Sequence, residues 1–147
     1  MNGNDARIVR LYTAQAGGLV EDNTPNANSP TPNQLDLILQ AEAGNVLGSS
    51  GANYTLTLTA INDDKSAPQA NLNPRGSPFK EQWNLGDGWK RSGNDFVKTG
   101  AGESDGIMRY EISIPHGLTG AFHYNVRLIS DNFQVTSFAQ SNPFILV

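Results

Sequence analysis

Cysteine is absent from the 147-residue sequence, and only two histidines are present, His116 and His123. The absence of cysteine excludes disulfide bonds, thiolate metal sites and cysteine nucleophiles. A Gly-x-Ser-x-Gly motif is also missing, so neither histidine has an evident serine to activate. The sequence therefore shows no recognisable catalytic constellation, and a hydrolase with paired carboxylates is the remaining enzymatic alternative.

Long apolar runs are missing as well. No run approaches the roughly 20 residues that a membrane helix needs, so no membrane span is predicted. Residues 1–5 show neither the basic nor the apolar segment of a signal peptide. The abundance of Asn, Thr and Gly nevertheless favours an extracellular or cell-surface module.

Positive charge is scarce, with 10 basic residues against 14 acidic ones and a formal net charge of −4. Nucleic acids attract basic proteins, so no nucleic-acid partner is expected. The segment from Arg75 to Lys98 is the exception, because it carries five basic residues and three acidic ones.

What the sequence does contain is apolar side chains that alternate with polar ones, a period typical of strands with one buried face. Fifteen glycines and eight prolines supply turns between these stretches. The pattern predicts one all-β domain over residues 1–147, an antiparallel β-sandwich of about seven to nine strands, with a β-barrel or jelly roll as the alternative. The predicted strands are Ala6–Ala14, Gln34–Glu42, Asn53–Ile61, Ile107–Ile114, Ala121–Ile129, and two more around Phe133–Phe138 and Phe144–Val147.

Two regions do not alternate. Residues 15–33 are rich in proline and asparagine and predict a flexible connection after the first strand. Residues 63–106 predict a long irregular insertion, with weak strand signals at Phe79–Leu85 and Phe96–Thr99. Long loops in compact domains are often functional.

One stretch, Leu118-Thr-Gly-Ala-Phe-His-Tyr124-Asn-Val126-Arg-Leu128, resembles the corner between two strands of immunoglobulin-like and fibronectin type III modules. The resemblance implies a tyrosine corner formed by Leu118 and Tyr124, in which the tyrosine hydroxyl bonds back to the upstream backbone. It covers mainly residues 107–128 and lacks both the core tryptophan of the early strand and the cysteine pair. It therefore implies an immunoglobulin-like sandwich and carries no function with it.

The acidic residues fall mostly in predicted loops, where oxygen ligands suit Ca²⁺. None of these loops has EF-hand spacing, so they are interpreted as solvated turn residues. No metal or other cofactor is expected, and Ca²⁺ stays an alternative without a matching motif.

Both tryptophans lie six residues apart around a Gly-Asp-Gly turn, among basic residues. Exposed together, Trp83 and Trp89 could stack on a sugar ring or anchor a protein, with Lys90 and Arg91 reaching anionic groups and Phe96 beside them. The alternative is that the indoles cap the core of the sandwich. These five residues are the predicted ligand-binding set.

Two functional hypotheses follow. The first is a non-catalytic binding or adhesion module for a carbohydrate or a protein partner. The second is a structural subunit of a fibre, tail or surface layer, which would self-associate by pairing its tethered first strand, Ala6–Ala14, with a neighbouring copy.

Overall fold

Two antiparallel sheets make up the fold in the computed structural model, which describes residues 5–44, 53–76, 79–83, 88–104, 106–130 and 136–147. The described residues form eleven strands, two short 3₁₀ turns at Ala70–Leu72 and Pro74–Gly76, and no α-helix. Accordingly, none of the described segments provides a helix long and apolar enough to cross a membrane. The strands are β1 (Ala6–Gln15), β2 (Gln34–Ala43), β3 (Tyr54–Asn62), β4 (Ala67–Pro68), β5 (Phe79–Trp83), β6 (Trp89–Ser92), β7 (Asp95–Lys98), β8 (Met108–Ser113), β9 (Gly120–Ser130), β10 (Thr136–Gln140) and β11 (Phe144–Leu146).

The first sheet is centred on β2. β1 pairs with β2 along nearly its whole length, from Ala6 opposite Ala43 to Gln15 opposite Leu35, with a register shift between Ile8 and Arg10. β8 pairs with the opposite edge of β2, β7 pairs with the last two residues of β2, and β6 pairs with β7. The strand predicted at Ala6–Ala14 is therefore present, and it pairs with β2 of the same chain.

The second sheet is centred on β9 and β3, which pair over nine residues. β10 and β11 pair with the free edge of β9, whereas β4 and β5 pair with the free edge of β3. The two sheets are open rather than joined into a barrel, so the all-β sandwich prediction is confirmed and the barrel alternative is wrong.

The core lies between the sheets and is built from the alternate residues that the sequence pattern indicated. In β2, β3 and β9 the inward side chains are almost completely buried. These are Leu35, Leu37, Leu39, Tyr54, Leu56, Leu58, Phe122, Tyr124, Val126 and Leu128. The Phe144 ring of β11 stacks on Tyr124, with 5.4 Å between the ring centroids, and so closes the end of the core.

The region 63–106 is more regular than the sequence indicates. It supplies β4 to β7, which raises the strand number in the described residues above the predicted seven to nine. Each of these strands has only two to five residues, too few to show a periodic pattern. Their regularity comes instead from pairing with β2 and β3.

Residues 15–33 form no strand beyond Gln15, but they are attached to both sheets. The backbone of Asp22 bonds to Thr13 of β1, and the Asn23 carbonyl accepts a 2.7 Å bond from the Ile145 amide of β11. The Asn26 side chain bonds to both the amide and the carbonyl of Val147. The connection thus joins β1 to the C-terminal strand.

The hydrogen bond expected of the tyrosine corner, from the Tyr124 hydroxyl to upstream backbone, is present, but its partner is distant in the sequence. The chain does pass from the first sheet to the second between β8 and β9, and Leu118 packs against the core. The Tyr124 hydroxyl donates to the Leu72 carbonyl oxygen at 2.7 Å, across a separation of 52 residues. Leu72 belongs to the 3₁₀ turn at Ala70–Leu72, which the sequence pattern did not predict.

Candidate functional site

The two tryptophans lie inside the domain. Trp83 at the end of β5 is 1% exposed and Trp89 at the start of β6 is 8% exposed. Their rings meet edge to face with 5.7 Å between the centroids, and the Trp83 indole N–H donates to Glu81 at 2.7 Å. An exposed pair, the condition for stacking both indoles on a sugar, is therefore not present. Both indoles instead belong to the buried core, as the alternative prediction stated.

The other three predicted ligand-binding residues lie on the β6–β7 hairpin. Lys90 and Arg91 are exposed, whereas Phe96 is buried. Arg91 lies opposite Phe96 in the hairpin, with its guanidinium carbon 4.9 Å from the ring centroid. Residues 84–87, which contain most of the Gly-Asp-Gly turn, lie outside the described residues.

A cleft of about 510 Å³ brings part of this set together. Trp83 and Lys90 line it, together with Glu81 and Lys98, which sequence reasoning missed. Lys98 is 4% exposed, and its ammonium nitrogen lies 5.0 Å from the Trp83 ring and 5.6 Å from the Trp89 ring. A cation over two aromatic faces stabilises this corner of the core. Trp89, Arg91 and Phe96 do not line the cleft.

The outer faces of the two sheets differ in how much of them is covered. On the first sheet, Ile38 and Asp36 point away from the core yet are buried, because the connection after β1 folds over them. The Tyr12 hydroxyl donates to the Leu19 carbonyl at 2.7 Å and fastens that cover. The outer face of the second sheet has no such cover among the described residues.

This open face, called the polar face below, consists of the outward side chains of β3, β5, β9 and β10. Strand register places them in rows across the sheet. The rows contain Thr55, Thr57 and Thr59 of β3, Lys80 and Gln82 of β5, Asn125, Arg127 and Ile129 of β9, and Thr136, Phe138 and Gln140 of β10.

The central row of the polar face runs Phe138, Arg127, Thr57, Lys80. Adjacent residues in the row are separated by one strand spacing, about 4.8 Å, so the backbone positions of Arg127 and Lys80 are about 10 Å apart along the sheet. Phe138 is 66% exposed, which is unusual for a large aromatic side chain on a strand. An open groove of about 620 Å³ follows this row and the next, lined by Thr57, Thr59, Asn125, Arg127, Phe138 and Gln140 among others.

The polar face carries two basic side chains on its strands, Arg127 and Lys80. None of its described outward strand residues is Asp or Glu. Neither Arg127 nor Lys80 makes an ion pair or a side-chain hydrogen bond in the described part of the chain. The described strand residues of this face therefore contribute positive charge, although the whole chain carries a net charge of −4.

His123 lies at the end of the polar face, and its Nδ1 is 2.6 Å from Asp63 Oδ1. The neighbouring Asp64 carboxylate accepts the Ala121 amide at 3.1 Å, so both acids fasten the turn after β3 to β9. No hydroxyl group in the described residues bonds to the His123 ring. In the same residues, no group of three His, Asp or Glu side chains is placed to hold a metal ion.

Two carboxylates converge on Arg109 at the outer face of the first sheet. The Arg109 guanidinium donates to Asp36 at 2.6 Å, to Glu103 at 2.9 Å and to the Gly18 carbonyl at 2.7 Å. Burial opposes the charge on Arg109, but the two carboxylates outweigh it and raise the Arg109 pKa. The Asp36 side chain is only 1% exposed, so a substrate cannot reach both carboxylates of this cluster. The cluster instead holds buried parts of the fold together.

No protein-family model matches this chain, and neither the curated proteins nor the solved structures include a significant match to it. A functional proposal therefore depends on the polar face and the cleft themselves.

Sequence reasoning identified the outward residues of β3 and β9 but not the site that they form. The alternation already placed Thr55, Thr57, Thr59, Asn125 and Arg127 on a wet face. What it lacked was the register that sets Phe138 beside Arg127 and Lys80 beyond Thr57. The charge imbalance of residues 75–98 was a usable signal for Lys80 alone.

Proposed function

We propose that this chain is a non-catalytic binding module whose ligand lies across the polar face. The observation that carries the proposal is the central row, in which the exposed Phe138 ring lies beside the Arg127 guanidinium, and that guanidinium has no partner among the described residues. Leaving an aromatic ring and a cation without partners gives no stability to the isolated domain. Both groups are, in contrast, typical of the centre of a binding surface.

The strand arrangement supports an immunoglobulin-like sandwich as the scaffold. β1, β2 and β8 lie in one sheet and β3, β9 and β10 in the other. An immunoglobulin-like domain distributes its strands A, B and E and its strands C, F and G in the same way. The polar face then corresponds to the outer face of the sheet that contains strands C, F and G. Since many functions use this fold, the scaffold supports a binding role without selecting the ligand.

The alternative of a structural subunit that exchanges its first strand has less support. β1 pairs with β2 along nearly all of its length, and its other edge faces β10, where the Ile8 amide donates to Ser137 Oγ at 3.0 Å. A strand already bonded on both sides within its own chain would have to lose these contacts before pairing with a neighbour.

A glycan and protein array probed with the labelled chain tests the proposal. We expect Phe138→Ala to lower any detected binding about tenfold, as the loss of an aromatic contact from a binding centre would. Val9→Ala is the matched control, because Val9 is an exposed apolar residue of similar accessibility, 53%, on the first sheet. Lys90 lines the cleft, so Lys90→Ala tests whether the ligand binds there instead.

Binding that is lost in Lys90→Ala but kept in Phe138→Ala would place the ligand in the cleft and contradict the polar-face proposal. Equal effects of Phe138→Ala and Val9→Ala would also contradict it. Circular dichroism spectra and melting temperatures of the three variants show whether a loss of binding comes from unfolding.

A further inference from the structure

Arg127 differs from every other arginine of the chain. Arg7, Arg10 and Arg109 form salt bridges with carboxylates. Arg75 and Arg91 lie over the aromatic rings of Phe79 and Phe96, at 5.3 and 4.9 Å. Arg127 has neither kind of partner among the described residues, and it lies in the centre of the sheet face that the described residues leave uncovered.

On this basis, and resting on the proposed binding function, we propose that the ligand is an acidic carbohydrate, a sugar chain with carboxylates on its rings, whose carboxylate pairs with Arg127. A guanidinium presents parallel N–H donors that match the two oxygens of a carboxylate. None of the described outward residues of this face is Asp or Glu, so none of them offers Arg127 a competing carboxylate.

The surroundings of Arg127 fit the rest of a sugar. Phe138 is directly opposite in the β9–β10 ladder, at a position where side chains of paired residues are about 5 Å apart. Its ring is not stacked on the Arg127 guanidinium, so its face is available to the C–H face of a pyranose. Thr57, Thr59 and Gln140 line the same groove and supply hydroxyl and amide groups that both donate to and accept from sugar hydroxyls.

The groove suits an oligosaccharide better than a protein partner. Its volume of about 620 Å³ lies within the range of small-ligand sites. A stable protein interface buries about 800 Å² on each partner around an apolar, aromatic core. In the described rows of the polar face, Phe138 is the one large apolar side chain with high exposure. The second cation, Lys80, lies two strands from Arg127 and can reach a carboxylate on a neighbouring sugar ring.

Isothermal titration calorimetry with two matched pairs of probes tests the inference. The pairs are trigalacturonic acid with its methyl ester, and sialyllactose with lactose. We expect at least one acid to bind, its neutral counterpart to bind about tenfold more weakly, and the affinity for the acid to fall with added salt.

Variants of the full chain assign the effect to one residue. Arg127→Gln should weaken binding of the acid about tenfold and abolish the preference over the neutral counterpart, whereas Arg127→Lys should restore part of it. Arg7→Gln is the matched control, because it removes an exposed arginine on the other sheet, and it should stay within about twofold of the wild type.

Three results would overturn the inference. If acid and neutral probes bind equally well and Phe138→Ala still lowers the affinity, the polar face binds neutral sugars and the inference of an acidic ligand is wrong. Polyglutamate binding as tightly as trigalacturonic acid would indicate an acidic protein segment as the partner. Failure of both acid probes to bind would exclude the acidic carbohydrate, and the array described above would then decide separately whether the polar face binds another ligand.

Discussion

The Tyr124 hydroxyl of β9 donates a 2.7 Å hydrogen bond to the carbonyl oxygen of Leu72, a residue 52 positions earlier in the chain. Both residues are completely buried. Beside this bond, the Asn73 side-chain carbonyl accepts the Ala60 amide of β3 at 2.7 Å. These two bonds fasten the 3₁₀ turn at Ala70–Leu72 to the core of the second sheet, on the side opposite the polar face.

Tyr124→Phe should lower the free energy of unfolding by about 1–3 kcal/mol, because the Leu72 carbonyl would stay buried without a donor. Urea denaturation followed by tryptophan fluorescence measures the change. Tyr12→Phe is the control, since its hydroxyl also donates to a carbonyl at 2.7 Å, but that of Leu19, which is 46% exposed and open to water. Equal losses in the two variants would show that burial of Leu72 does not determine the effect.

Arg109→Met should cost about 3–5 kcal/mol of stability, because it leaves the buried Asp36 carboxylate without its cation. Arg7→Met removes a more exposed pair with Glu42 and should cost less than about 1 kcal/mol. Chemical denaturation compares the two. Replacing Asp36 by Asn in the Arg109→Met background should recover part of the loss, and no recovery would contradict the assignment to an unpaired charge.

The Glu21 pKa is lowered by hydrogen bonds from Arg10, at 2.7 Å, and from Asn142, at 2.9 Å. A lowered pKa in the folded state means that Glu21 stabilises the fold above its unfolded pKa, and that this contribution is lost as the pH falls through the folded value. Acid should therefore weaken the attachment of residues 15–33 to the C-terminal segment. In a carboxyl-carbon NMR titration, Asn142→Ala should move the Glu21 midpoint upwards, and an unchanged midpoint would refute the role of Asn142.

The fluorescence of Trp83 and Trp89 should report a buried environment. Both indoles are less than a tenth exposed, so their emission should be blue-shifted and quenched by iodide much less than that of a free indole. Unfolding in guanidinium should restore full quenching. Strong quenching in the folded chain would show that both indoles are accessible to solvent and would make them candidates for ligand binding again.

The long strands were predictable because each carries enough alternating residues to show its buried face. The Thr55, Thr57 and Thr59 series of β3 is the clearest case, since every second residue between Tyr54 and Ala60 is buried. Short strands left little or no signal. β7 showed only the weak strand signal at Phe96–Thr99 and β6 showed none, because four residues cannot establish a period and their pairing depends on distant partners.

The position of the tryptophans and the partner of Tyr124 depend on tertiary contacts that no local pattern contains. Trp83 is buried by Trp89 and Lys98, and the upstream partner of Tyr124 is Leu72, which lies 52 residues earlier in the chain. In the same way, Thr57, Arg127 and Lys80 were visible as polar residues in the sequence, but the exposure of Phe138 was not, and the row itself exists only through the register of four strands.

The most direct measurement of the central claim is a ¹H–¹⁵N NMR titration of the labelled chain with trigalacturonic acid. The amides of Thr57, Thr59, Asn125, Arg127, Phe138 and Gln140 should shift together and saturate with one affinity, while those of Arg7 and Glu42 on the first sheet stay unchanged. Shifts centred instead on Trp83, Lys90 and Lys98, with none in the central row, would show that the ligand occupies the cleft and would contradict the polar face as the binding site.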